Sequence, residues 1–278
     1  MGRGRGYSLP FDTTISNTYQ NDRRKSSGSK RTLIIDSHCH AGKGDGLTGP
    51  WDTNASINNF MKWSEEAGID KTVVFAAFNS DYAKTNDKVG KLVLKYPEKF
   101  YGYAFVNAVS DRGRIFEMLW HSMNKYKFCG IKVHRYNGRI SREICEAAKY
   151  FNLPVLYDVM GEIQAVDLIA KEYPTVNFII PHLGSFAEDW KAQKSFIDKL
   201  VLYKNIYTDS SGVRSFELFS EAYERAGARK ILFGTDGPWI HPGVELEKIR
   251  ALKSSKKDLQ LMLSGNFLRL TKLARLTK

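Results

Sequence analysis

Leu33-Ile34-Ile35-Asp36-Ser37-His38-Cys39-His40 is a short apolar run that ends in two histidines one residue apart. Alternate side chains of an extended strand share a face. His38 and His40 therefore point the same way with Asp36 behind them, and Ser37 and Cys39 point the other way. Two imidazoles at the C-terminal end of a buried strand supply half of a metal site. A lone His-x-His is read equally well as two polar residues bonded to nearby backbone. The metal reading gains weight only if other strands end in ligand-type residues, and they do.

Working outward, short apolar runs alternate with amphipathic stretches. The expected strands are 33–38, 72–78, 101–106, 130–134, 154–158, 177–181, 205–209 and 231–235. Helices are expected near 56–67, 81–96, 113–125, 141–151, 162–173, 187–203 and 214–227, then 243–254 and 257–276. Gly68, Pro97, Gly130, Pro154, Pro174 and Gly227 punctuate the helix-to-strand joints. Eight β-then-α repeats in one series predict an α/β chain folded as a (β/α)8 TIM barrel, with extra helices at its C-terminus. The 278 residues suit such a barrel, which takes about 250. A doubly wound open sheet would need a glycine-rich phosphate loop after its first strand. Gly42-Lys43-Gly44-Asp45-Gly46 instead follows His-x-His and reads as a flexible flap over a site.

A barrel of this kind keeps its chemistry at the C-terminal ends of its strands. The fourth, Gly130-Ile131-Lys132-Val133-His134, turns Lys132 and His134 to the lumen and Ile131 and Val133 to the helices. A buried lysine is costly unless paired or functional; Asp36 is one partner, a substrate carboxylate another. The fifth strand ends in Asp158, a ligand or a helix cap. The sixth ends in His182, the seventh in Asp209-Ser210-Ser211, and the eighth in Asp236. Asp209 suits a structural role, and the serines could touch substrate. His121 lies beside Trp120 in a helical segment and reads as packing or surface. His241, in the loop after the eighth strand, is a candidate substrate contact.

His38, His40, Asp236, and Asp158 or His134 would thus converge on one mouth. Nitrogen and carboxylate donors without thiolate suit Zn2+ first, and also Mn2+, Fe2+ or Ni2+. A metal there lowers the pKa of bound water from about 16 to about 7. Asp236 is placed to take and return its proton, and His182 to orient the water or steady an oxyanion. Lys132, His134, Arg135 and Lys43 would hold a small anionic substrate.

The net charge of +12 is unevenly spread. Residues 1–31 carry seven basic and two acidic residues and no periodicity, and read as a separate basic tail, disordered or lying on the surface. Residues 32–278 form the barrel domain. The remaining charge is that of a solvated lysine-rich surface, so nucleic acid is not the favoured partner. No apolar run reaches the length of a membrane span, and no apolar stretch follows the basic N-terminus as in a secretory signal. Cys39, Cys129 and Cys145 are scattered, which fits a reducing, cytoplasmic setting.

These residues resemble the amidohydrolase superfamily, specifically the branch with aminocarboxymuconate-semialdehyde and resorcylate decarboxylases and lactone hydrolases. The resemblance spans roughly residues 33–276. It rests on Ile35-Asp36-Ser37-His38-Cys39-His40, Gly130-Ile131-Lys132-Val133-His134, Pro181-His182-Leu183-Gly184, Phe233-Gly234-Thr235-Asp236-Gly237-Pro238 and the closing Gly265-Asn266-Phe267-Leu268-Arg269-Leu270. It implies that His38 and His40 bind metal, that Asp236 is a ligand that also handles the proton, and that His182 stands over the reactive water. In one departure, the family pattern Pro-Val-x-x-His is Pro154-Val155-Leu156-Tyr157-Asp158 here. Either that carboxylate ligates or His134 substitutes. The expected activity is metal-dependent hydrolysis of a small carboxylate-bearing or cyclic substrate, with non-oxidative decarboxylation as the alternative. A TatD-like nuclease would carry a Glu-x-Gly-Leu-Asp strand, which is absent. A barrel without catalysis is the remaining rival. A homodimer is expected by analogy.

Overall fold

The computed structural model describes residues 31–46, 54–186 and 189–273. The expected tail, apart from Arg31, lies outside them, as do residues 47–53 after the expected flap. The strands are β1 (Ile35–Ala41), β2 (Lys71–Ala76), β3 (Phe100–Gly102), β4 (Ala104–Phe105), β5 (Ile131–His134), β6 (Val155–Asp158), β7 (Phe178–Ile180), β8 (Ile206–Asp209) and β9 (Ile231–Leu232). Neighbours in sequence pair in parallel, except β3 and β4, which do not pair with each other.

Two junctions complete the ring. At Tyr103 the chain passes from one partner to the other: Tyr103 N–H donates to Val74 O and Ala104 N–H to Gly130 O, both at 3.0 Å. The expected strand 101–106 is thus one path broken into β3 and β4. At the other seam, Ser37 N–H donates to Phe233 O (2.9 Å) and His40 N–H to Gly237 O (2.7 Å). The fold is the (β/α)8 TIM barrel, with strands buried on both faces as parallel barrel strands must be.

The helices α1 (Ile57–Glu66), α2 (Tyr82–Lys95), α3 (Ile115–Tyr126), α4 (Arg142–Phe151), α5 (Gln164–Glu172), α6 (Trp190–Leu202), α7 (Phe216–Ala226) and α8 (Pro242–Ala251) follow the strands. Their starts are chemically marked. Asp81, Ser141, Asp189 and Ser215 each accept a backbone N–H three residues on, which satisfies a donor the helix cannot. Asn152 ends α4 in the left-handed conformation, at φ 56°. The further helical stretches expected over 257–276 are α9 (Lys256–Gln260), a π turn at Leu261–Gly265 and α10 (Asn266–Leu270).

Two departures matter for the site. The eighth strand is expected to run to 235 but β9 stops at Leu232, because Phe233 N–H is taken by Met262 O at 2.9 Å. The chain then leaves the sheet early and Asp236 sits on a loop. In β1 the register slips between Asp36 and Cys39, a bulge that breaks the simple alternation expected there.

Candidate metal centre

His38, His40 and Asp236 each bring one ligand atom to within 4.8 Å of the other two. His38 Nε2 lies 3.3 Å and His40 Nε2 3.7 Å from Asp236 Oδ1. The far nitrogen of each ring is held. His40 Nδ1 is 3.2 Å from Ala76 O. A carbonyl only accepts, so that nitrogen carries the proton and Nε2 keeps its lone pair. His38 Nδ1 meets Asp209 Oδ2 at 2.8 Å, and Asp209 is itself held by Ser211 through Oγ (2.6 Å) and N–H (3.1 Å). A carboxylate behind a histidine sets its tautomer and raises its basicity as a ligand.

Asp236 is brought to this place by its loop. It adopts φ 55°, a left-handed conformation that costs a non-glycine residue roughly 1–2 kcal/mol. Asp36 clamps the loop to β1: Oδ1 accepts from His38 N–H and Thr235 N–H, and Oδ2 from Thr235 Oγ1. Neighbouring Gly234 is required, since a Cβ there would lie 3.0 Å from Asp209 Cγ.

Burial opposes the charge on Asp236, but His38, His182 and His40 hold its pKa far below the ordinary carboxylate value. Burial and Lys132 oppose a charge on His38, yet Asp209 and Asp236 outweigh them and push its pKa up to about 9. Burial, then Lys132, lowers that of His40 well below normal, which keeps the ring neutral. Two nitrogens and one oxygen, held from behind and facing one point, fit a divalent cation.

Asp158 is not one of that trio. Its Oδ2 lies 3.2 Å from His134 Nε2 and 3.6 Å from His182 Nε2, and its Oδ1 accepts Met160 N–H at 2.8 Å. Burial works against its charge, but His134, His182 and Lys132 hold its pKa well below normal. His182 donates Nδ1–H to Ser211 O at 2.7 Å, and its backbone is left-handed at φ 59°. Lys132, 1% exposed, sits between the groups with Nζ 3.4 Å from His38 Nε2 and 4.9 Å from the Phe75 ring centre. Burial lowers its pKa against Asp158, Asp236 and Asp209. The partnership with Asp36 that the sequence suggested is replaced by these three, because Asp36 is engaged by Thr235 and His38.

The other expected substrate contacts are placed elsewhere. Arg135 Nη2 pairs with Glu162 Oε1 at 2.6 Å, and Arg139 takes the other oxygen. His241 caps α8 by accepting Gly243 N–H and packs on Trp63. Lys43 lines an open cavity of about 400 Å³ with Ala55, Asn58 and Lys88. His121 pairs with Asp87 at 3.0 Å, on the surface as expected.

Sequence reasoning missed the rings around the imidazoles. Trp239 packs on His40 (4.9 Å between centroids), Phe186 on His182 (5.1 Å) and Phe78 on His134 (4.7 Å), with Tyr136 next to Phe78. Trp239, Phe186 and Tyr136 are partly exposed. Trp239 and Phe186 each follow a strand-end ligand residue by three or four positions, and that spacing was the available signal.

The sequence profile of the amidohydrolase family matches residues 35–271. No curated protein sequence matches. Solved structures share the fold. The 2,6-dihydroxybenzoate decarboxylase from Rhizobium is 16% identical with a TM-score of 0.67, over 88% of this chain and 100% of that one. A dihydroxybenzoic acid decarboxylase from Polaromonas, solved with bound manganese and the inhibitor 2-nitroresorcinol, is 16% identical with a TM-score of 0.68, over 88% and 98%. A probable 2-pyrone-4,6-dicarboxylic acid hydrolase from Acinetobacter baumannii, with citric acid bound, is 16% identical with a TM-score of 0.67, over 86% and 99%. With its profile match spanning the barrel from β1 to just past α10, this chain belongs to the amidohydrolase family.

Proposed function

We propose that this barrel is a metal-dependent hydrolase of a small, flat, carboxylate-bearing or cyclic substrate such as a lactone or cyclic amide. The observation that carries the reading is the trio His38, His40 and Asp236, with both Nε2 atoms turned toward one carboxylate oxygen. A divalent cation held there supplies a nucleophilic water at neutral pH and polarises a carbonyl, with Zn2+ or Mn2+ suited to this donor set. Asp236 Oδ1 accepts the proton of the attacking water and returns it to the leaving group. His182, its Nδ1–H fixed on Ser211 O, keeps its lone pair on Nε2 and orients the attacking water by accepting an O–H. Lys132 adds a buried positive charge for the substrate carboxylate.

The aromatic side chains beside the three imidazoles favour a second reading on the same residues, non-oxidative decarboxylation of an aromatic acid. Phe78, Phe186 and Trp239 offer ring faces against which a planar substrate would stack. The test is one panel of lactones, cyclic amides and hydroxybenzoates, run on chelator-stripped and on Zn2+- or Mn2+-loaded protein. Ring opening is followed by absorbance and carbon dioxide by a coupled assay. Metal-dependent ring opening is the expected result. Carbon dioxide release alone would transfer the assignment to the lyase, and no metal-dependent turnover of any kind would end both. The pairing of two copies and a cytoplasmic setting remain part of the proposal.

A further inference from the structure

The geometry points to a metal centre with three protein ligands, in which Asp158 is not a ligand but the positioning residue for the imidazole of His134. The inference rests on the metal reading of His38, His40 and Asp236 given above.

Asp158 stands outside the group whose ligand atoms gather within 4.8 Å of one another, and both its oxygens are engaged elsewhere. Met160 N–H occupies Oδ1 at 2.8 Å. Oδ2 faces two rings, His134 Nε2 at 3.2 Å and His182 Nε2 at 3.6 Å. The His134 ring is locked by its other edge: Nδ1 accepts Tyr136 N–H at 3.1 Å. That bond needs a bare Nδ1, so in the neutral ring the proton is on Nε2 and points at Asp158. His134 is thereby removed as a ligand too, because its one lone pair is already taken.

The His182 ring is fixed in the opposite sense. Its Nδ1–H is donated to Ser211 O at 2.7 Å, so in the neutral ring Nε2 carries the lone pair and, 3.6 Å from Asp158 Oδ2, makes no hydrogen bond to it. The Asp158 carboxylate therefore orients the His134 imidazole, while Ser211 O holds His182 and Asp209 and Ala76 O orient the two rings that belong to the trio. The bond from Met160 N–H bends the chain sharply after β6, with Met160 at φ 48°, and stiffens the carboxylate in that pose. A centre with three protein donors keeps open positions, as a catalytic site requires.

The test uses the full chain, stripped of metal and titrated with Co2+, whose visible absorption reports the donor set and the coordination number. Asp158→Asn and His134→Gln are compared with the unchanged protein. The expected result is equal cobalt stoichiometry, affinity within about threefold and the same band positions in all three. In parallel, nitrogen NMR of the metal-free, histidine-labelled protein should place the His134 proton on Nε2. Asp158→Asn should shift the His134 ring signals and spare those of His40, and Asp158→Glu should restore them in part. Loss of one cobalt equivalent, or a changed spectrum in Asp158→Asn, would overturn the three-ligand centre and make Asp158 a ligand. His ring signals that ignore the substitution would overturn the positioning role. Failure of the unchanged chain to bind Co2+ would instead sink the metal reading itself, and the inference with it. His134→Gln keeps the ligand question answerable if Asp158→Asn does not fold, since a spectral change there would make His134 the fourth ligand.

Discussion

Asp236 Oδ1 lies within 4 Å of two imidazole nitrogens, and neither pair is held by that oxygen alone. His38 depends on Asp209 behind it and His40 on the carbonyl of Ala76. Removing a partner of this kind typically lowers metal affinity 10- to 100-fold. Asp209→Asn should therefore weaken Zn2+ binding by about that factor in competition with a chromogenic chelator, with the fold intact by circular dichroism. Asp236→Asn removes both a ligand and the proton acceptor. Its turnover, on whichever substrate the panel identifies, should fall by about 10²- to 10⁴-fold even at saturating metal. A variant that retained near-normal turnover would show that another group carries the proton.

At the scale of elements, two helical segments late in the chain hold the loops at the two ends of the strands. On α8, Glu245 accepts Gly212 N–H at 3.2 Å and pairs with Lys248 at 2.7 Å, and Lys248 Nζ donates to Ser210 O and Val213 O. This anchors the loop whose Ser211 serves both Asp209 and His182. Burial pushes the Glu245 pKa up to about 7 from 4.5, against the pull of Lys248. Between those values the folded chain binds more protons at this site than the unfolded chain, so stability falls as pH rises and is level above about 7. Urea unfolding at pH 5 and pH 8 should show Glu245→Gln losing less stability over that interval than the unchanged protein, by on the order of 3 kcal/mol at most. At the opposite end of the sheet, Asn266 on α10 donates to Ala228 O and Ile231 O, both at 2.7 Å, and Arg269 bonds back to Asn266 Oδ1. The closing motif is structural. Asn266→Ala should cost about 1–3 kcal/mol on chemical unfolding while metal stoichiometry stays unchanged.

For the molecule as a whole, a cation that binds only the folded barrel stabilises it by mass action, by about 2.7 kcal/mol at a hundredfold excess over Kd. Thermal melts should rise with added Zn2+ or Mn2+ and fall back with chelator. Because His38 carries a proton up to about pH 9, metal uptake must release it, and affinity should drop as pH falls. Calorimetry in two buffers of different ionisation enthalpy measures that release; none would mean His38 is not a ligand. Much of this was written in the chain itself. Apolar runs ending in His38, His40, His182 and Asp236 announce a parallel barrel and its ligand types, because strand period and side-chain chemistry are local properties. Tertiary structure alone decided which strand-end groups meet. Asp158 and His134 are ligand types at strand ends, like the trio. Yet a backbone N–H at Tyr136 and another at Met160 turn them toward each other. Arg135 looked like a substrate clamp until Glu162 met it, and Asp209 looked structural until it reached His38. Each outcome depends on a contact between residues far apart in the chain, His134 with Asp158, Arg135 with Glu162 and His38 with Asp209, and the closed ring of strands sets which of them meet.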